Sequence, residues 1–254
     1  MKIALFASNV VGLEVAKFLG DRGEAPVCLV LDAKDPGGLN SEIIAKLRVA
    51  DSARIFSSDS LRDTRTHEGL RALDIDLIIL AWWPYIVGED TLSIPRLGCL
   101  NFHPSLLPYN RGKNYNFWAI VERSPFGVTL HWVDRKVDCG DIAFQSSIQT
   151  TWEDTGETLY RKAQTEIVRL FKEKFPEIKA GRIPRLGQDL DQGSFHLARE
   201  LDEASKIELD KSYTARNLLN ELRARTFPPH PAAWFVDDDE KFEVRVEIKR
   251  CVKD

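Results

Sequence analysis

Several things are scarce in this 254-residue sequence, and each scarcity removes a class of function. No apolar run approaches the ~20 residues that a membrane-spanning helix needs, so no membrane contact is expected. The four cysteines, at 28, 99, 139 and 251, form no Cys-x-x-Cys pair, and no histidines cluster along the chain. Neither a zinc site nor a disulfide framework is therefore expected. Cys28 and Cys99 lie in apolar runs and read as small buried hydrophobes. A net charge of −4 offers no basic excess of the kind a standing nucleic-acid surface carries. Glycine is also short where a dinucleotide would need it. Phe6-Ala7-Ser8-Asn9-Val10-Val11-Gly12 has one glycine in place of Gly-x-Gly-x-x-Gly, which speaks against a dehydrogenase. The start, Met1 to Phe6, reads as a strand rather than a signal peptide, because Asn9 and Glu14 interrupt any apolar core, and a cytoplasmic location is expected.

What is present is the patterning of a globular α/β protein, with 43% hydrophobic and 29% charged residues. Strands are expected at Lys2–Ala7, Val27–Asp32, Ala53–Phe56 and Asp76–Ala81, with helices at Gly12–Leu19, after Ser41, and as an exposed element over Leu61–Leu73. Continuous apolar strands alternating with helices predict a doubly wound (Rossmann-like), mostly parallel sheet covered on both faces. Thr155 caps a long helix from Gly156 to about Phe175, whose stripe is Leu159, Ala163, Ile167, Leu170 and Phe171. The composition changes beyond Gly181, which divides the chain into a domain over 1–181 and an extension over 182–254. That extension reads as a helix over Thr214–Arg225 followed by a β-hairpin. Ala232–Val236 forms one arm, Asp237–Asp239 the turn, and Lys241–Lys249 an alternating arm that buries Phe242, Val244, Val246 and Ile248.

The chemistry concentrates in Asn101-Phe102-His103-Pro104-Ser105-Leu106-Leu107-Pro108. Residues two apart on a strand share a face, so an amide and an imidazole meet one spot before the prolines turn the chain away. An amide can donate to a developing oxyanion and an imidazole can either donate to it as well or exchange a proton, which suits acyl chemistry. Trp82 to Val87 sits at the C-terminal end of a strand, the edge where open α/β sheets bind ligands; Trp82 either lines such a site or covers the sheet edge. Arg111 and Lys113 either meet phosphates or a carboxylate or stand solvated. His131 reads as a hydrogen-bonded structural histidine. Cys139 is weighed as a nucleophile, but no histidine adjoins it in sequence.

Three ordered blocks carry a resemblance: Asn-x-His-Pro-Ser-Leu-Leu-Pro at 101–108, Asn110-Arg111-Gly112, and Val137-Asp138-Cys139-Gly140-Asp141-Ile142. Together they are similar to the signature of the folate-dependent formyltransferases, which include methionyl-tRNA formyltransferase, the purine-synthesis glycinamide ribonucleotide transformylase and the sugar N-formyltransferases. The purine enzyme's glycine-rich phosphate loop is missing at Ser8–Gly12. The tRNA enzyme's larger OB-type C-terminal domain does not fit into about 70 residues beyond Gly181. Arg223-Ala224-Arg225-Thr226-Phe227-Pro228-Pro229 resembles the C-terminal signature of the sugar enzymes.

The resemblance implies a formyl group moving from 10-formyltetrahydrofolate to the amine of a nucleotide-linked amino-deoxysugar, in the setting of polysaccharide biosynthesis. It implies Asn101, His103 and Asp138 as the catalytic set, although Asp141 stands where the family commonly has proline. Folate would be walled by Pro84, Tyr85, Ile86, Val87 and Val137 and by Ser105, Leu106, Leu107 and Pro108. Asn110, Arg111, Lys113, Arg223, Arg225 and Phe227 are the candidates for the nucleotide-sugar; the last three can hold a pyrophosphate and stack a base, or the arginines can simply be solvated. The hairpin edge suggests a homodimer. Two alternatives stay open: a methionyl-tRNA formyltransferase-like enzyme, and a non-catalytic folate- or nucleotide-binding protein.

Overall fold

The computed structural model describes residues 1–47 and 54–251. In chain order its elements are β1 (Ile3–Ala7), α1 (Asn9–Asp21), β2 (Cys28–Leu31), α2 (Asn40–Leu47), β3 (Ile55–Ser57), α3 (Thr64–Ala72), β4 (Leu77–Ala81), α4 (Glu89–Leu92) and β5 (Gly98–His103). There follow β6 (Arg111–Gly112), α5 (Tyr115–Val121), β7 (Gly127–Trp132), β8 (Ile142–Ser147), α6 (Gly156–Lys179), β9 (Phe195–His196), α7 (Glu200–Glu203), α8 (Ala215–Arg225), β10 (Ala233–Asp237) and β11 (Glu240–Val244). These elements group into two compact units. The first holds 1–103, 129–146 and 164–188; the second holds 104–128, 147–163 and the chain from Asp189 onward.

The first unit is built on a seven-stranded sheet in the order β3-β2-β1-β4-β5-β7-β8. β3 through β5 run parallel and β7 lies antiparallel to β5. Every residue of β1, β2 and β4 is buried, the condition that a sheet covered on both faces imposes on its sequence. The order reverses between β1 and β4, the switch point at which such sheets open a crevice beyond their carboxyl ends. Gly12, the one glycine of the first junction, serves packing: a Cβ there would sit 3.0 Å from that of Ala7. From β5, Phe102 points to the face opposite Asn101 and His103 and packs on Phe171 of α6, ring centroids 5.2 Å apart.

Several expected elements shift. The short strand is Ile55–Ser57; Ala53, its expected start, lies outside the described residues. The helix expected over Leu61–Leu73 is a 3-10 turn (Ser58–Arg62) followed by α3, because Asp63 between them is extended. It is also not an exposed element throughout, since Thr66, His67 and Leu70 are buried. α6 continues past Phe175 to Lys179.

In the second unit, β6 and β9 pair in parallel and β10 and β11 form the hairpin. Asp238 and Asp239 both have positive φ (45° and 66°), the geometry of a two-residue hairpin turn. β11 ends at Val244 rather than 249, and its apolar face is not buried as expected: Phe242 is 42% exposed, and Val244, Val246 and Ile248 are only half-buried. A two-stranded ribbon has no second layer of its own to cover that face.

Candidate active site

The site grows out of one register. β5 and β7 are antiparallel with Asn101 opposite His131 and His103 opposite Thr129. Directly opposed residues share a face, and so do residues two apart on one strand. Asn101, His103, His131 and Thr129 therefore all project to the same side of the sheet, at the carboxyl end of β5. His103 and His131 are almost fully buried.

Hydrogen bonding fixes the polarity of this group. His131 Nδ1 lies 2.8 Å from the Trp132 carbonyl oxygen, which can only accept, so Nδ1 carries the proton and Nε2 the lone pair. The Asn101 amide nitrogen, 3.1 Å from that Nε2, donates to it. Asp138 completes the cluster: its Oδ1 stands 3.4 Å from His103 Nδ1 and 3.5 Å from His131 Nε2. A carboxylate facing His103 Nδ1 orients the ring and stabilises its charged form, the base-plus-orienter arrangement of hydrolase triads. His103, His131 and Asp138 could also turn one ligand atom each to a common cation, since these atoms lie within 4.8 Å of one another. As arranged, however, the Asn101 amide occupies the His131 lone pair.

Asp138 sits in the β7–β8 loop with a left-handed φ of 54°. Gln188 reaches this loop and donates to the carbonyls of Asp138 (3.0 Å) and Gly140 (2.6 Å). Cys139 donates to the Val137 carbonyl at 3.2 Å and lies outside the imidazole cluster. His131 and Gln188 are the two members that sequence reasoning did not place here. Only the Thr129/His131 alternation hinted at the first, and nothing local marked the second.

The segment expected to wall the folate, Pro84–Val87, follows Trp82, which turns the chain through φ 59° beyond β4. Tyr85 is anchored inward: its hydroxyl donates to Asp32 Oδ1 at 2.7 Å, and that hydrogen bond raises the phenol's pKa. Ser8 Oγ donates to the other oxygen of Asp32 at 3.0 Å. Ile86, by contrast, is 86% exposed and Val137 is 42% exposed. Two large apolar side chains are thus open to solvent in the unit that carries the imidazole cluster.

The remaining candidates belong to the second unit. Ser105 donates to the Tyr109 carbonyl (2.7 Å), and Leu107 is buried beside Pro108. Asn110 donates to Glu122 Oε2 (3.1 Å). Arg111 is buried, its Nε and Nη2 directed to the carbonyls of Ser194 and Leu190. The Lys113 amide donates to the His196 carbonyl. Arg223 is also buried, with Nη1 on the carbonyls of Thr151 (2.8 Å) and Asp154 (2.7 Å) and Nε on Asn220. Burial pulls its pKa down, with Asp154 opposing that shift. The sequence allowed these arginines to be solvated, and solvated they are not. Arg225 donates to Ser205, and Phe227 packs 5.3 Å from the Tyr160 ring.

An amide, two imidazoles and a carboxylate gathered at the carboxyl end of β5 are the groups that acyl transfer can use. The chain belongs to the formyl transferase family: the model described as "Formyl transferase" matches residues 2–174, and that of the "N-formyltransferase dimerization C-terminal domain" matches residues 200–250. It is 30% identical over 192 residues to a methionyl-tRNA formyltransferase of Listeria monocytogenes, covering 75% of this chain. It spans only 60% of that relative's length. Its fold is similar to that of a 4-N formyltransferase from Francisella tularensis, with a TM-score of 0.82, 23% identity and 98% of each chain covered. It is also similar to an N-formyltransferase from Helicobacter canadensis solved with folinic acid and dTDP-3-aminofucose, with a TM-score of 0.72 and 16% identity, covering 94% of this chain and 85% of that one. Among the described residues, no helix is long and apolar enough to cross a membrane.

Proposed function

We propose that this protein is an N-formyltransferase that moves the formyl group of 10-formyltetrahydrofolate to the amino group of a nucleotide-linked amino-deoxysugar. The observation that carries the reading is the cluster of Asn101, His131, Asp138 and His103 on one face of the β5–β7 pair. The amine nitrogen attacks the formyl carbon, and charge collects on the formyl oxygen, where the Asn101 amide donates. His103, oriented by Asp138, takes the proton that the amine must lose. The bond from carbon to the folate nitrogen then breaks, that nitrogen receives the proton, and tetrahydrofolate leaves.

The open apolar side chains of Ile86 and Val137 suit the pterin ring. In this reading Pro84–Val87 line the pterin in the first unit, Ser105–Pro108, Asn110, Lys113, Arg225 and Phe227 are the second unit's candidates for ligand contact, and Arg111 and Arg223 act chiefly by holding backbone carbonyls of that unit. A sugar acceptor is supported by the likeness in fold to the Helicobacter canadensis N-formyltransferase solved with dTDP-3-aminofucose. The description of the domain matched by residues 200–250, with the partly covered face of β11, supports a homodimer formed through the 182–254 extension.

The second reading, a methionyl-tRNA formyltransferase, is favoured by the identity to the Listeria enzyme. Incubation with 10-formyltetrahydrofolate and, separately, a panel of nucleotide amino-sugars and methionyl-tRNA decides between them by mass. A formyl gain on an amino-sugar alone is expected. A gain on methionyl-tRNA alone, steeply dependent on salt, would overturn the sugar assignment.

A further inference from the structure

Asp138 has a left-handed φ of 54°, and its carbonyl accepts a hydrogen bond from a side chain fifty residues further on. Gln188 Nε2 donates to two carbonyls of one loop, those of Asp138 at 3.0 Å and Gly140 at 2.6 Å. Turned about, the amide would press Oε1 against both carbonyl oxygens, so its orientation is fixed. Among the described residues no donor reaches its buried Oε1. The backbone supporting Gln188 is itself pinned, since Leu186 and Ile142 exchange two hydrogen bonds of 2.8 and 3.0 Å. Underneath, Trp132 donates to the Asp141 carbonyl at 2.8 Å, and Gly140 lies so close to the Trp132 carbonyl that a Cβ would come within 1.9 Å of its oxygen. The loop is thus clamped between β7 and Gln188, with Asp138 at its turn.

We propose that Gln188 is a positioning residue for formyl transfer: by drawing the Asp138 and Gly140 carbonyls to one nitrogen, it sets the distance of the Asp138 carboxylate from His103 and His131. This rests on the formyl-transfer reading above. Two carbonyl dipoles converging on one point repel each other, and without a donor between them the loop relaxes and Oδ1 moves off the imidazoles.

Three variants separate this role from space-filling. Gln188→Lys keeps a donor for the two carbonyls, Gln188→Ala removes it, and Gln188→Glu places like charge against them. Crystal structures of the variants read the carboxylate's placement without any substrate, so this test stands even if no amino-sugar is formylated. The Asp138 Oδ1 should move away from His103 and His131 in the Ala and Glu variants and stay near 3.4 and 3.5 Å in the Lys variant. With an accepted acceptor, kcat should fall about 30-fold in Gln188→Glu while the acceptor KM holds within about twofold. In an Asp138→Asn background, Gln188→Ala should add almost nothing, because both changes act through one group. An unmoved Asp138 carboxylate in folded Gln188→Ala, or equal kinetics for the Lys and Glu variants, would overturn the proposal.

Discussion

Asp138→Asn is the sharpest test of the cluster, because it keeps the side chain's size and one acceptor oxygen while removing its charge. The carboxylate oxygen stands 3.4 Å from His103 Nδ1. At the effective dielectric of about 20 that suits protein sites, a full unit charge on the imidazole would gain about 5 kcal/mol from this neighbour. His103 acquires that charge only as it takes the amine's proton, so the transition state feels about half of it or more. Each 1.36 kcal/mol is about tenfold in rate, which places the expected loss in kcat between about 50-fold and about 4,000-fold. The loss should fall on kcat rather than KM, since the interaction strengthens only as the proton moves. The assay is formylation of an accepted nucleotide amino-sugar, followed by mass under saturating folate donor, with circular dichroism as the control for folding. A folded Asp138→Asn protein that keeps more than about a third of wild-type kcat would show that the carboxylate does not act on His103 in this way.

Other consequences can be measured independently. Ile86→Lys, at a side chain already 86% exposed, should leave stability unchanged, weaken folate binding by about tenfold and spare the nucleotide-sugar; calorimetry showing the reverse would mean that the two ligands have been interchanged. Burial pushes the Asp154 carboxyl up, but Lys162, the Thr151 amide and the Thr158 hydroxyl outweigh it and hold its pKa below the ordinary value. That stability is present above the unfolded carboxylate pKa of about 3.9 and is lost as pH falls through the lower folded value. Asp154→Asn should therefore cost about 2 kcal/mol in denaturant unfolding at neutral pH and much less below the folded pKa; an equal cost at both would refute the charge argument. Burial raises the thiols of Cys28 and Cys99 to about 12, whereas Cys251 is exposed. A thiol reagent at about pH 8 should modify Cys251 at once and reach Cys28 and Cys99 only in denaturant, as peptide mapping would show.

Much of the architecture could be read from local pattern. Runs such as Leu77–Ala81, apolar at every position, imply strands covered on both faces, and the structure has them in the centre of a mostly parallel sheet. Asn101 and His103 share a face because a strand repeats every two residues, and that needs no tertiary information. His131 was harder. Its position opposite Asn101 depends on the register of strands thirty residues apart, and no local pattern states a register. Gln188 is further out of reach, since a glutamine in a loop looks the same whether it faces water or clamps two carbonyls. Arg111 and Arg223 show the same limit from the other side. As letters they are mobile cations, and only the fold reveals the carbonyls of Ser194, Thr151 and Asp154 converging on them. The hairpin's alternation pointed to a two-stranded ribbon but not to the end of its second strand at Val244 nor to its burial, because a ribbon has no second layer of its own.

The carboxylate at the end of β2 has a history in doubly wound sheets, where an acid at this point is commonly offered to the hydroxyls of a ribose. In this chain Asp32 is already taken, one oxygen by Ser8 and the other by the Tyr85 phenol. Two hydroxyls of the protein stand where a ribose would present its own. The acid has become the mooring of the Trp82–Val87 segment, so a nucleotide that claimed it would have to cast off Tyr85 and set the exposed Ile86 adrift. The end of β2 thus holds the Tyr85 segment in place with the carboxylate that such sheets can offer to a sugar.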